Sequence, residues 1–272
     1  MADSPAPSND ILKFRPSSYD QELLEGPQSR WREFKMLNGV MWEFLRGFRA
    51  LHFVGPCVTV FGSARFEEGH PYYELGRDVG RMCAQLGFTV MTGGGPGIME
   101  AANRGAKEAG GRSVACNIQL PFEQKPNPYI DRFVTLKHFF TRKVMLFKYS
   151  YAFIVLPGGA GTMDEFFEAV TLMQTKKIIN FPLIVMGKEY WRDLVELFEV
   201  MVRGGTIDAS ELNMLLVTDS VDEARGLLQD QALRAFQAHK YKMPRAVKWL
   251  MEYGHDYDAE VKKESFSMQG EE

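Results

Sequence analysis

Between Leu156 and Glu165 the sequence reads LPGGAGTMDE, directly after the apolar run Tyr151-Ala-Phe-Ile-Val. A proline and the glycines Gly158, Gly159 and Gly161 break a buried strand, and Thr162, Met163, Asp164 and Glu165 follow. Glycine lets backbone approach a ligand closely. The N–H groups that open a helix lack internal partners and lie at the positive end of its dipole, so a phosphate monoester is a natural occupant. Thr162 can add a hydroxyl hydrogen bond, and Glu165 a fixed carboxylate beside whatever the phosphate carries. A plainer reading exists: Thr162 to Glu165 is a capping box, threonine at N-cap and glutamate at N3. That reading places Glu165 in the first helical turn, where the dipole favours the anion, and predicts an ionised carboxylate at neutral pH. A capping box needs no P-G-G-x-G before it, however, and the surplus glycine favours a ligand.

Two more glycine loops accompany this one. FGSA presents Gly62 and Ser63, and TGGGPGIM presents Gly94, Gly95, Gly97 and Met99. The dinucleotide fingerprint G-x-G-x-x-G fails in each register: its last glycine falls on Ile98 from Gly93, on Glu100 from Gly95, and on Asp164 from Gly159. G-x-x-x-x-G-K-[ST] and H-E-x-x-H are absent as well, which argues against a nicotinamide dehydrogenase, a P-loop nucleotidase and a dedicated metal site. Ser63 has no visible base partner and His138 is a lone histidine with a structural reading. Met99 and Phe140 are candidates for a base pocket or for core. Glu100 and Asn103 follow at a helix start, where polar residues are common.

The elements that must position these loops alternate regularly. CVTVF, FTVMT, SVACNI, FVTL, AFIVLP, PLIVMG and MLLVTD are short apolar strands. Helical stretches lie between most of them: ELGRDVGRMCAQLG closed by Gly87, a helix from Pro96 to Gly110, then His138 to Tyr149, Thr162 to Thr175 and Glu189 to Val202. Nearly continuous apolar strands separated by helices predict an α/β fold: a doubly wound, Rossmann-like parallel sheet with extra N- and C-terminal helices. In such sheets ligands bind where strands end and helices begin, which is where all three glycine loops fall.

The expected organisation is a disordered start and amphipathic helix over 1–53, a nucleotide-binding domain over 54–230, and a helical extension and tail over 231–272. Trp31, Phe34, Leu37, Met41, Phe44, Leu45 and Phe48 recur at helical spacing before the first strand. This face covers either the main domain or a neighbouring subunit.

Composition excludes several classes. Of 272 residues, 45% are hydrophobic and 25% charged, as in ordinary soluble domains. A net charge of -3 gives no broad attraction to nucleic acid or anionic membrane. No apolar run approaches the roughly 18–20 residues that span a bilayer. Cys57, Cys83 and Cys116 are odd in number and far apart, which suits a reducing compartment, and the start MADSPAPSND is no signal peptide. A cytoplasmic protein is expected.

With PGGAGTMDE, GGGPGIM and TRKVM in one chain, the sequence resembles the LOG ("lonely guy") nucleotide phosphoribohydrolases, whose members were often labelled lysine decarboxylases. Pro157 to Glu165 meets the family's P-G-G-x-G-T-x-x-E at every fixed position, and Gly93 to Met99 meets its G-G-G-x-G-[IL]-M loop. Its R-K-x-x-M is met in part by Arg142, Lys143 and Met145, the methionine one residue closer than usual. The resemblance covers about Val58 to Leu228. It implies hydrolysis of the N-glycosidic bond of a nucleoside 5'-monophosphate, with cytokinin ribotides or purine nucleotides such as AMP as substrate and no cofactor. Arg142 and Glu165 would be catalytic. Lys143, the loop from Gly159 through Ala160 to Asp164, Thr171 and, upstream, Glu123 would contact substrate. The long N-terminal helix departs from compact plant-type members, and a homo-oligomer is expected. The rival classes are a protein that binds a nucleotide or phosphorylated cofactor without cutting it, and a decarboxylase. The latter needs a pyridoxal-phosphate lysine that no sequence context singles out.

Overall fold

The computed structural model describes residues 26–120 and 126–234. The expected disordered start, Glu123 and all but the first residues of the C-terminal extension lie outside these. Among the described residues the chain opens with helix α1 (Arg30–Leu51). It continues as β1 (Cys57–Phe61), α2 (Pro71–Gln85), β2 (Thr89–Thr92), α3 (Ile98–Glu108), β3 (Ser113–Ile118) and β4 (Arg132–Leu136). Then come α4 (Phe139–Tyr149), β5 (Ser150–Val155), α5 (Ala160–Gln174), β6 (Leu183–Met186), α6 (Lys188–Arg203), a 3-10 turn, β7 (Leu215–Thr218) and α7 (Val221–Leu227). All seven apolar runs read from the sequence are strands.

The strands form one parallel sheet in the order β4-β3-β2-β1-β5-β6-β7. The chain winds outward from β1 to one edge, then returns to the other side of β1 as β5. Val60 pairs with Ile154 and Phe61 with Val155. The loops that follow these two strands therefore leave the sheet side by side, at the point where winding reverses and a crevice must open.

Alternate side chains feed two separate cores, as a sheet covered on both faces requires. Phe61, Phe153, Val155 and Val185 meet Met145, Phe166 and Phe198 from α4, α5 and α6. Val58, Val60, Ile154 and Ile184 meet Val79, Ile98 and Ala224 from α2, α3 and α7. Helix α1 lies on the first face. Its Phe44, Phe48 and Leu51 pack inward, whereas Trp31, Phe34, Leu37, Met41 and Leu45 stay exposed. The apolar stripe thus covers the domain only in part. Among the described residues no helix is long and apolar enough to cross a membrane.

Helices α2 and α3 cross almost backbone to backbone. A Cβ at Gly80 would overlap the Ala102 carbonyl, and one at Gly105 the Arg77 carbonyl. Backbone cannot yield as a flexible side chain can, so Gly105→Ala should cost about 1–3 kcal/mol of stability. Thermal melts should then show Tm lower by roughly 3–10 °C. An unchanged Tm would mean that the helices do not meet there.

Candidate functional site

Three loops converge on the crevice and are tied to one another by main-chain bonds. Ser63 N donates to the Pro157 carbonyl at 2.9 Å, and Ile98 N donates to the Ser63 carbonyl at 3.0 Å. The β1 loop is thus fixed at once to the β5 loop and to the start of α3. Behind the β2 loop lies a buried polar cluster. Thr92 Oγ1 donates to Asn103 Oδ1 at 2.7 Å and accepts from Gly94 N at 2.9 Å. Asn127 Nδ2 reaches both the Gly95 carbonyl and Asn103 Oδ1. Asn103 is therefore scaffolding, and Glu100 accepts from the Tyr73 hydroxyl at 3.1 Å.

The crevice is a cavity of about 780 Å³, within the range of small-molecule sites. Of the residues expected from sequence, Gly62, Ser63, Gly95, Met99, Arg142, Gly158, Gly159, Gly161, Thr162, Asp164 and Glu165 line it. Others do not. Gly94 has φ +79° and a Cβ there would lie 2.8 Å from the Ala115 methyl, and Gly97 has φ +69° and a Cβ there would overlap the Ser63 carbonyl, so backbone geometry and packing account for both glycines. Met163 packs against the core, Ala160 is exposed at the first position of α5, and Thr171 is exposed with its hydroxyl on the Phe167 carbonyl at 2.8 Å. Lys143 holds Asp164 at 2.8 Å and Glu168 at 2.9 Å, bracing α4 against α5. Phe140 is off the cavity; its neighbour Phe139 lines it instead.

Sequence reasoning missed Arg65, Phe66, Asn117, Phe139 and Tyr190 on the wall. Tyr190 Oη donates to the Gly158 carbonyl at 2.9 Å and so pins the glycine loop from α6. Gly93, the first glycine of GGGPG, also lines the cavity. A Cβ there would overlap Arg142 Nη2 and lie 2.9 Å from Met99 Sδ, so its bareness makes room for the guanidinium.

The structure corrects the capping-box expectation. Helix α5 starts at Ala160 with Gly159 as N-cap and no side-chain cap, so Thr162 is the third helical residue and Glu165 the sixth. Thr162 Oγ1 instead sits against Gly158, where a Cβ would collide with it. Glu165 then lies in the second turn, beyond the reach of the free N–H groups. It is only 4% exposed. Burial pushes its carboxyl above the ordinary glutamate range, a shift that Arg142 partly offsets. The expectation of a dipole-stabilised anion is therefore replaced by that of a desolvated one, whose ionisation depends on Arg142.

Arg142 comes from the first full turn of α4. Its Nε donates to the carbonyl of Cys116 in β3, at 3.0 Å. Its Nη1 faces Glu165 Oε1 at 3.5 Å, longer than the 2.7–2.9 Å of a tight charge-assisted bond. A half-buried arginine and a buried glutamate thus face each other loosely on the cavity wall. Such a pair can stabilise a developing positive charge, orient water and hold a departing group. The cysteines contribute no competing nucleophile: Cys57, Cys83 and Cys116 are buried, and burial pushes their thiols up. Among the described residues no group of three His, Cys, Asp or Glu side chains could hold a metal ion.

Comparison with known proteins matches residues 99–228 to the family described as "Possible lysine decarboxylase". The chain is 28% identical, over 184 residues, to a probable cytokinin riboside 5'-monophosphate phosphoribohydrolase of Oryza sativa subsp. japonica, covering 65% of this chain and 79% of that one. It is 25% identical, over 214 residues, to the pyrimidine/purine nucleotide 5'-monophosphate nucleosidase of Escherichia coli (strain K12), covering 72% of this chain but 46% of the relative. Among solved structures, the molybdenum cofactor carrier protein from Chlamydomonas reinhardtii aligns at 21% identity and a TM-score of 0.49, over 68% of this chain and 99% of that one.

The glycines of the PGGAG loop sort by what surrounds them. Gly158 is needed for Thr162, but a Cβ at Gly159 or Gly161 would meet nothing within 4 Å. Gly161 also sits inside a helix, where glycine costs about 0.8–1.0 kcal/mol relative to alanine. If a ligand explains it, Gly161→Ala should raise Tm slightly while weakening retention of ribose 5-phosphate, measured by calorimetry. Unaltered binding would remove the ligand argument for that glycine.

Proposed function

We propose, from the premise that the chain belongs to the LOG family, that it hydrolyses the N-glycosidic bond of a nucleoside 5'-monophosphate to free base and ribose 5-phosphate. The observation that carries this reading is the loose pairing of Arg142 with the buried Glu165, beside a helix start whose glycines Gly159 and Gly161 pack against nothing. A protein that only bound phosphate would have no use for a desolvated carboxylate there.

The nucleotide phosphate lies on the opening amides of α5, with Thr162 and Arg65 at the same mouth. The ribose extends inward over Glu165. As the base leaves, positive charge builds on the sugar, and the carboxylate stabilises it and orients the attacking water. Water delivers hydroxide to the anomeric carbon, and its proton passes by way of Glu165 towards the base nitrogen. Arg142 remains protonated throughout and steadies the leaving base or a ribose hydroxyl by hydrogen bonding. Met99, Asn117 and Phe139 form the apolar and polar walls against which a planar base can rest.

The substrate we favour is a purine nucleotide, AMP or a cytokinin riboside 5'-monophosphate. We set aside the decarboxylase of the family's description, because Lys143, the lysine in the motif, spends its ammonium on Asp164 and Glu168. We also place the protein in the cytoplasm, in keeping with three free buried thiols, take 54–230 as the catalytic body, and expect a homo-oligomer in which another copy covers the exposed stripe of α1. Light scattering on Leu37→Lys should then give a smaller mass than on the native chain; equal masses would leave the stripe without that role.

Incubation of the pure protein with AMP should release adenine, and a panel with GMP, CMP and isopentenyl-AMP should rank the base. Glu165→Gln should keep fold and nucleotide binding but lose turnover by about 10²–10⁴-fold. Because burial raises this carboxyl, the reactive anion is lost on acidification earlier than for an exposed glutamate, and the acid limb of kcat should lie above the ordinary glutamate range. Nucleotide binding without base release in the native protein would favour the carrier reading, and near-normal turnover of the Gln variant would remove Glu165 from the mechanism.

A further inference from the structure

Helix α4 carries Arg142 but has no cap of its own. His138 stands at its N-cap position and supplies no side-chain cap, and no acidic residue occupies its first turn. Leaving the first amides of a helix unsatisfied in a buried setting is costly. An acceptor for the N-cap amide and the one before it comes from a distant part of the sequence. Glu43 of α1, only 8% exposed, turns its carboxylate onto this helix start. Its Oε1 accepts from the main-chain N–H of Lys137, from that of His138 at 3.1 Å, and from Thr141 Oγ1 at 2.8 Å. Its Oε2 pairs with His138 Nδ1 at 2.6 Å. These bonds hold the carboxyl below the ordinary glutamate range although burial alone would push it up.

A second contact fixes the same seam one turn further along. A Cβ at Gly47 would lie 2.9 Å from Met145 Sδ, so α1 and α4 approach closely where α1 has no side chain. Arg142 stands between these two contacts. Its own N–H bonds to the His138 carbonyl at 3.2 Å, so the residue that Glu43 grips by both backbone and ring is also the first hydrogen-bond partner of Arg142.

We infer that Glu43 is a positioning residue for Arg142: it caps α4 from the N-terminal helix and so sets where the guanidinium stands relative to Glu165. The N-terminal helix is then part of the active-site frame and not an appendage to the nucleotide-binding body. This inference rests on the reaction proposed above, in which Arg142 and Glu165 act together.

The test is Glu43→Gln, which keeps the shape and removes the charge that draws four donors. Steady-state cleavage of AMP, a thermal melt and a pH profile are measured on the full chain. Misplacing Arg142 should lower kcat about tenfold. It should also raise the acid limb of kcat, because a more distant Arg142 lowers the Glu165 carboxyl less. The charged groups acting on Glu165 are Arg142 and Lys143 from α4 and Asp164 from α5, and only those on α4 move with the cap. A purely structural Glu43 would give a lower Tm with kcat and the acid limb unchanged in the folded fraction, and that result overturns the inference. Should the Gln variant not fold, Thr141→Val, which deletes one donor and conserves volume, should shift the limb in the same direction by less; no shift there also overturns it. Absence of AMP cleavage by the native chain is a different failure, that of the reaction itself. In that case faster hydrogen exchange at the Lys137 and His138 amides of the Gln variant still identifies the cap, and unchanged exchange refutes it.

Discussion

The arrangement depends on a carboxylate taken out of water and only half compensated. Glu165 is buried, and its cationic partner stops at 3.5 Å. That distance has a cause: Arg142 is held from behind by the Cys116 carbonyl, and Gly93 leaves the space in which the guanidinium lies. Desolvating a carboxylate costs more than a loose partner returns, so the pair is a poor investment in stability. A fold selected only to persist would close the gap or fill it with apolar side chains. Keeping the gap leaves an anion whose strongest unmet need is positive charge, and that is what a sugar acquires as its base departs.

Such a site requires a frame that does not relax, because a small movement would change the distance on which the pair depends. Parallel pairing of β1 with β5 brings two loops side by side, and the bonds from Ser63 to Pro157 and to Ile98 lock them together. Tyr190 pins Gly158 from one side while the Asn103 cluster stiffens the β2 loop from the other. Lys143 braces α5 against α4, and Glu43 fixes the start of α4. Most of these contacts join elements that are not neighbours in the chain.

This distance explains what could and could not be seen in the sequence. Strands declare themselves through local apolar runs, and glycine loops through composition, so the sheet and the strand ends where those loops gather were legible. Arg142 and Glu165 were legible only because each lies in a recognisable motif. Arg65, Asn117, Phe139 and Tyr190 carry no local mark. Their place on one cavity follows from strand order, which brings the ends of β1, β3 and β5 and the starts of α4 and α6 together. Glu43 was invisible for the same reason, since a glutamate on an amphipathic helix looks like any solvated residue until its partner nearly a hundred positions away is known. The error over Thr162 was of a different kind. The sequence of a capping box was present, but Gly159 can itself serve as N-cap, so the helix began two residues earlier than its first threonine.

Those two residues matter to the chemistry. With Thr162 as N-cap, Glu165 would have shared the ring of free amides with any bound phosphate, and two anions would have competed for one set of donors. With Gly159 as N-cap, the amides of Ala160 and Gly161 open the helix while Glu165 lies four residues below Gly161, about 6 Å along the axis at 1.5 Å per residue. A ribose with its 5' methylene arm is about that long. One helix can then hold the phosphate at its mouth and present a carboxylate to the anomeric carbon from its second turn, with the sugar laid along its side. The earlier start also leaves the carboxylate outside the first turn of the helix dipole, so burial and then Arg142 have the largest influence on its charge, and moving that arginine retunes it.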